Sequence, residues 1–478
     1  MVAAPFDIPP GRMRWFEISR CYIVGKYFRM HRRHFLGTMA ASLPAAQTPP
    51  RRPPNILFII FDKCRTDAIG AYGERKTQTP NIDALAASGI RFQNCFTPQA
   101  LCGPARASIL TGLYPHRHGL RRNVYPTKPS AMNSNYQEAI PDPFRDARFD
   151  LWDNFVYYLS NAGYATGAIG KWHLGPGNPG FFDYFKAFNS TLRHWIGEPH
   201  HSLYRPDVHT ELGMSFIEQH AGGPFFLYQS YYAPHEPLDP PAEFLEKHRG
   251  EEHAAYHAAV SNLDWNVGRL VEALRRKNIL EETLIIVTTE HGRSWRPRPG
   301  TAEGMCTAYE ESSRIPLILR FPRLLPPGTV RRSGASLVDL APTILDAAGV
   351  QAVKGGILEP SGGSLFQGHS LLAQVRAGSD AWREPIVMEN IPQAAIDGSF
   401  YEERALRTER YKLILRKFDN RPELRPGELY DLQNDPGEDH NLFSRSPAQV
   451  KQLAARLAGW GRRYQDPLAV ELGAWATA

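Results

Sequence analysis

Asn55-Ile56-Leu57-Phe58-Ile59-Ile60-Phe61-Asp62 opens the folded part of this 478-residue chain: an uncharged run of strand length that stops at a carboxylate. Six consecutive apolar residues leave no polar face, so a strand here is buried on both sides, as in a parallel sheet covered by helices. Three similar runs follow at Tyr164–Gly170, Pro224–Ser230 and Thr283–Thr289. Between them Thr79-Pro80-Asn81-Ile82-Asp83-Ala84-Leu85 reads as a capped helix start that ends near Gly89, and Leu263–Lys277 has helical periodicity. Buried strands alternating with helices predict an α/β fold with a mainly parallel central sheet sandwiched by helices. In such sheets ligands sit at the carboxyl ends of the strands. Beyond the Gly/Ser-rich loop Ser361–Gly368, the segments Pro385–Met388 and Arg407–Leu415 and the helical Gln449–Arg463 predict a smaller α+β subdomain with an antiparallel sheet. The expected division is a leader over 1–53, a catalytic domain over 54–380 and a C-terminal subdomain over 381–478.

Composition removes several function classes. With 42% hydrophobic and 22% charged residues the chain is neither disordered nor fibrous. No apolar run is long enough for a membrane span. Residues 1–53 carry nine Lys/Arg against Asp7 and Glu17, so the formal charge of +6 belongs to the leader and the rest is near neutral. A nucleic-acid partner is therefore not expected. Within the leader, His31-Arg32-Arg33-His34-Phe35-Leu36-Gly37 and the small-residue run to Ala46 read as a twin-arginine export signal. That implies the Tat machinery as a partner and a periplasmic or secreted product, with cleavage near Ala45-Ala46. Met30 offers an alternative start, and on that reading residues 1–29 are an over-extended frame. The five cysteines show neither a CxxC pair nor a Cys/His ladder, so neither zinc nor a disulfide framework is expected.

Polar groups gather where the apolar runs end: Asp62-Lys63-Cys64-Arg65, Gly170-Lys171-Trp172-His173, Ala233-Pro234-His235-Glu236 and Glu290-His291-Gly292. Burying such groups together without partners costs several kcal/mol, so their joint placement marks a site. A fifth segment, Cys102-Gly103-Pro104-Ala105-Arg106-Ala107-Ser108-Ile109-Leu110-Thr111-Gly112, puts a proline in the first turn of a helix and a cysteine at its N-terminus, where an anion is favoured.

This last segment resembles the signature of the sulfatases, a Cys-x-Pro-x-Arg core followed by Leu-Thr-Gly. Asp67–Gly73, Thr79–Asp83, Thr111–Gly119, Gly170–Gly175, Tyr309–Ser312 and Glu428–Pro436 are also similar to sulfatase motifs, and the likeness runs from Pro54 to the C-terminal helix. The resemblance implies an alkaline-phosphatase-like fold and hydrolysis of small-molecule or glycan sulfate esters. It also implies that Cys102 is oxidised to formylglycine by a formylglycine-generating enzyme, and that its hydrate attacks sulfur. Arg106 and Lys171 are then expected to hold the sulfate oxygens, His235 to protonate the leaving alcohol and His173 to take a proton when sulfate is expelled. Asp62, Glu290 and His291 match metal positions, and the usual cation is calcium. Two alternatives stand beside this reading: a phosphonate monoester or phosphodiester hydrolase of the same superfamily, and a non-catalytic binder of sulfated glycans with a decayed site.

Three positions depart from the family pattern. Lys63 stands where an acid or amide is usual, Glu290 replaces an aspartate, and Met305 replaces a lysine. An ammonium roughly 4 Å from a dication at an effective dielectric near 20 is repelled by about 8 kcal/mol before relaxation. Lys63 therefore either swings away from the cation or replaces it by pairing with Asp62 and Glu290. It also offers a substitute for the charge lost at Met305, as do Arg293, Arg296 and Arg298. His116, His118, His200, His201 and His253 are expected to be turn, packing or surface residues, and Cys64, Cys95 and Cys306 structural thiols.

Overall fold

The run Asn55–Phe61 forms strand β1, buried along its whole length. The computed structural model describes residues 52–124, 153–175, 177–189, 192–197, 203–296, 298, 306–352, 365–382, 384–391, 401–418 and 426–477. The twin-arginine leader, Met305 and His200-His201 lie outside these residues. Alternate β1 side chains enter two different cores, as the two-residue period of a strand requires. Ile56, Phe58 and Ile60 pack with Ile109, Leu110 and Phe155, whereas Leu57, Ile59 and Phe61 pack with Val260, Leu263 and Val267. Full burial of each such side chain contributes about 1.5–3 kcal/mol, which makes β1 the keel of the molecule.

Seven more strands join β1 in one sheet: β2 (Ile90–Phe96), β3 (Ala165–Lys171), β4 (Tyr184–Phe188), β7 (Phe225–Ser230), β8 (Thr283–Thr289), β9 (Arg314–Arg320) and β10 (Thr329–Ser336). The short strands β5 (Trp195–Ile196) and β6 (Leu203–Tyr204) pair with each other outside it. The sheet order is β10-β2-β9-β8-β1-β7-β3-β4, parallel except that β9 runs antiparallel to both of its neighbours. The mainly parallel α/β sheet expected from the apolar runs is what forms. The helix expected over 263–277 begins earlier, at Ala254. Its first two turns hold Tyr256 and His257 among alanines, a weak apolar period that burial against neighbouring elements completes.

The arrangement of β8, β1, β7 and β3 positions the site. These four strands are adjacent and mutually parallel, so their carboxyl ends meet along one edge. The polar groups that follow each apolar run are thereby brought together. Gly170 permits the last step of this convergence. Its φ is +92°, and a Cβ there would lie 1.6 Å from the Ser230 carbonyl oxygen on β7.

The C-terminal sheet is antiparallel, in the order β11 (Ile386–Asn390), β12 (Tyr401–Arg407), β13 (Tyr411–Phe418), β14 (Gly427–Asp431). The segment 407–415 thus divides into the end of β12, a turn and the start of β13. The closing helix, Pro447–Tyr464, lays Val450, Leu453, Ala454 and Leu457 against Val387, Leu406 and Leu413. A second helix, Pro467–Thr477, follows it. Phe96, Ala308 and Tyr309 share a further cluster with Met388, Ile414 and Tyr430, and residues 52–478 make one compact unit.

Candidate active site

Cys102 is the first residue of the buried helix Cys102–Thr111. Its Sγ lies 3.3 Å from His291 Nε2 and 3.8 Å from Asp62 Oδ1. Asn123 Oδ1 accepts a hydrogen bond from the next backbone N–H, that of Gly103, at 2.7 Å, so one of the open donors of the first turn has a partner. Asp62 follows β1, while Glu290 and His291 follow β8. Ligand atoms of these four residues lie within 4.8 Å of one another, and all four residues are buried.

Two cations face this group. Arg106, one helical turn beyond Cys102, has Nη2 at 3.4 Å from Glu290 and 3.7 Å from Asp62. Its Nη1 donates to Lys171 O at 2.9 Å, Tyr228 Oη at 3.0 Å and Ser230 Oγ at 2.8 Å. Tyr228 and Ser230 were not among the expected site residues; both face Arg106 from β7. Lys171, at the end of β3, pairs with Asp62, and its ammonium stands 5.0 Å from the centre of the Tyr232 ring. Tyr232 in turn stacks on His235 at 4.5 Å. The Nδ1 of His235 donates to Glu236 O at 2.8 Å, which leaves Nε2 as the other functional nitrogen of the ring. His291 Nδ1 donates to Gly292 O at 2.7 Å, so its Nε2 is the nitrogen presented to Cys102.

The two carboxyls are driven apart in proton affinity. Burial works to raise Asp62, but the cations Lys171 and Arg106 hold its carboxyl well below the usual range. Burial and the Asp62 charge push Glu290 well above it. Burial and the cations Lys171 and Arg106 hold His173 neutral. His235 is pushed down to about 3, first by burial and then by Lys171 and Lys63 against the opposing pull of Asp62.

The donor set fits a divalent cation. Glu290 Oε1 is buried and makes no hydrogen bond among the described residues, Asp62 Oδ2 is met by the cations Lys171 and Arg106, and an imidazole nitrogen stands beside them. Two crowded carboxyls, one of them forced toward its neutral form, are what a bound dication relieves.

Lys63 does not stand between Asp62 and Glu290, where replacing a cation would put it. Its ammonium lies 3.1 Å from Glu236 Oε2, rather than pairing with Asp62 and Glu290. The cause is in the backbone: Lys63 has φ +62°, a left-handed conformation that costs a side chain on the order of 1–3 kcal/mol. Tyr256 Oη donates to the Lys63 carbonyl at 3.0 Å and accepts from Arg65 N at 2.8 Å, which holds the turn. Arg293 reaches the same carboxylate, with Nη1 at 2.5 Å from Glu236 Oε1. Arg296 and Arg298 are engaged elsewhere, with Asp439 and Glu311. Burial and the Glu236 interactions therefore keep Lys63 beside the site but off the metal group.

The remaining histidines and thiols follow their expected structural roles where the structure describes them. His116 lies between Glu389 at 2.6 Å and Tyr464 O at 2.9 Å, and His118 contacts Ser108 at 3.0 Å. Cys64, Cys95 and Cys306 are buried and form no disulfide. His253 is exposed and stacks on Trp295 at 3.8 Å.

Comparison with known proteins gives a consistent result. The sulfatase family model matches residues 54–350, and that of the N-sulphoglucosamine sulphohydrolase C-terminal region matches residues 306–460. N-acetylgalactosamine-6-sulfatase of Canis lupus familiaris is 31% identical over 352 residues, a match that covers 65% of this chain and 65% of the dog enzyme, just under two thirds of its length. N-acetylglucosamine-6-O-sulfatase of Bacteroides thetaiotaomicron is 26% identical over 546 aligned positions, covering 89% of this chain and 90% of that protein. In fold, the crystal structure of YidJ from Bacteroides fragilis superposes with a TM-score of 0.71 at 23% identity, over 90% of this chain and all of that one.

Proposed function

Because the chain belongs to the sulfatase family, we propose that it hydrolyses sulfate esters of saccharides, with a formylglycine made from Cys102 as nucleophile. One observation carries the reading: the Cys102 side chain, at a helix N-terminus, belongs to a buried metal-type group with Asp62, Glu290 and His291, and Lys171 and Arg106 pair with the carboxylates of that group. An aldehyde at position 102 supplies, as its hydrate, the attacking oxygen, and a divalent cation, calcium in this reading, supplies the charge that polarises nucleophile and sulfate.

The chain's own residues do the rest. Asp62, Glu290 and His291 would hold the cation. Arg106 and Lys171 are fixed in place by Tyr228, Ser230 and Asp62, so their charge is already aimed before sulfate arrives. His235 is neutral in the free site because burial and neighbouring cations disfavour its charge. An incoming sulfate anion opposes that field and restores the proton affinity that an acid for the leaving alcohol needs. His173, also neutral, is suited to accept a proton when sulfate is released. The leader reading extends the proposal to a periplasmic or secreted enzyme exported by the Tat route after the cysteine is oxidised.

The test is co-expression with a formylglycine-generating enzyme, mass spectrometry of the Cys102 peptide, and sulfate release from an aryl sulfate and a sulfated-glycan mixture with and without calcium. Release that is lost in Cys102→Ala is expected. No release by a protein carrying formylglycine would overturn the reading and direct attention to phosphonate and phosphate diesters, or to binding without turnover.

A further inference from the structure

Glu236 follows His235 and holds two cations on separate oxygens: Lys63 at 3.1 Å on Oε2 and Arg293 at 2.5 Å on Oε1. The exposures of the three side chains differ. Lys63 is 8% exposed and Arg293 19%, whereas Glu236 is 41% exposed. The carboxylate therefore forms the solvent-facing layer, with the two cations beneath it. The backbone of each cation, and the guanidinium of Arg293, have further contacts besides Glu236. The Lys63 turn is pinned by Tyr256, and the Arg293 guanidinium lies 4.2 Å from the centre of the Trp295 ring while its carbonyl accepts from Arg65 Nη1 at 2.6 Å. Arg293 also keeps one buried donor in reserve: its Nε makes no hydrogen bond among the described residues.

This cation pair adjoins the reacting centre. His235 Nδ1 is 3.4 Å from the same Glu236 oxygen that Lys63 contacts. A sulfate held by Lys171, Arg106 and His235 thus has Lys63 and Arg293 as its neighbours. Together with a bound dication, these groups leave the pocket with more positive charge than one sulfate monoester neutralises. A second anion on the substrate is the matching partner, since buried cations require counter-charge.

We propose that Lys63 and Arg293 form a subsite for a second anionic group, a carboxylate or a further sulfate, carried by the saccharide next to its scissile sulfate. In the free protein Glu236 occupies this subsite as an internal stand-in, and the substrate's anion displaces it. Lys63 is thereby a specificity residue, and its departure from the family's acid or amide has a purpose other than metal binding. The inference rests on the saccharide-sulfate reading above.

The test measures binding apart from turnover. Full-length Cys102→Ala protein is titrated calorimetrically with N-acetylglucosamine 6-sulfate, with glucosamine 2-N,6-O-disulfate, and with a 6-sulfated disaccharide that contains a uronate. At least one doubly charged ligand is expected to bind about tenfold more tightly than the monosulfate, and which one does identifies the second group as sulfate or carboxylate. In Arg293→Met that ratio should collapse toward one. In Glu236→Gln, with the stand-in weakened, affinity for the doubly charged ligand should rise severalfold. Equal affinity for all three ligands, or a ratio that survives Arg293→Met, would overturn the subsite while leaving sulfate hydrolysis intact. Failure of all three ligands to bind, with no sulfate release by the formylglycine-bearing protein, would instead overturn the saccharide-sulfate reading and the subsite with it.

Discussion

Among the described residues, the buried charge cluster of the C-terminal sheet around Arg416 and the one around Cys102 are built in opposite ways. In the C-terminal sheet Arg416 of β13 donates through Nε to Glu403 at 2.8 Å, pairs through Nη1 with Glu428 and reaches Tyr309 Oη through Nη2 at 3.5 Å. Glu403 accepts in addition from Asn390 Nδ2 at 2.9 Å and Ala308 N at 3.0 Å, and Glu428 from the hydroxyls of Tyr309 at 2.6 Å and Tyr430 at 2.8 Å. Every oxygen of the two carboxylates is satisfied. Around Cys102, by contrast, Glu290 Oε1 and the Nε and Nη2 of Arg106 make no hydrogen bond among the described residues. Saturated networks fix a fold, whereas groups left open in a buried site are available to a cation and an anion.

The contrast is broken most severely by Arg416→Met, which leaves Glu403 and Glu428 buried without counter-charge. A loss of about 3–5 kcal/mol in urea denaturation is expected. A loss below about 1 kcal/mol would mean that the network is less tightly coupled than its hydrogen bonds indicate.

Glu290→Gln makes the opposite cut. It removes one of two mutually repelling carboxyls, so stability in chelator should stay within about 1 kcal/mol of the parent, while sulfate release falls on the order of a hundredfold. Calcium at about 100 times its dissociation constant should stabilise the parent by about 2.7 kcal/mol in thermal melts and should stabilise the variant much less. Equal calcium stabilisation in both proteins would remove Glu290 from the metal group.

The smallest effect concerns acid. Burial opposes the charge of Glu310, but Lys412, Arg407 and Arg314 hold its carboxyl down at about 2. Its contribution is thus fully present above the ordinary value of 4.5 and is lost as pH falls toward about 2. Lys412 also pairs with Glu438, whose carboxyl burial pushes up, so part of the effect cancels. The net loss between pH 4.5 and 2 is expected to be about 1 kcal/mol, and Lys412→Met should flatten it in denaturation curves taken across that range.

Much of this was legible without coordinates, for identifiable reasons. The strands β1, β7 and β8 are apolar on both faces, and such runs announce themselves at any point in a chain. The polar ends of those runs, together with the Cys102 helix, named Asp62, Lys171, His235, Glu290 and His291 as neighbours because parallel strands deliver their carboxyl ends to one edge. Tyr228 and Ser230 escaped notice because inside an apolar strand they look like packing residues; only the facing of β7 toward Arg106 gives them a role. The second closing helix escaped for the opposite reason: Pro467–Thr477 is apolar nearly all round and shows little period.

The chain alone determined the α/β class, the helix-borne cysteine and the set of charged residues, since each depends on spacing between near neighbours and on what water excludes. The partner of each charge was decided elsewhere. Lys63 is adjacent to Asp62 in sequence yet pairs with Glu236, 173 positions away, because a left-handed turn held by Tyr256 points it out of the metal group. Covalent order fixes which residues are near, but the direction of a buried charge follows from backbone conformation and from the counter-charge that tertiary packing brings within reach.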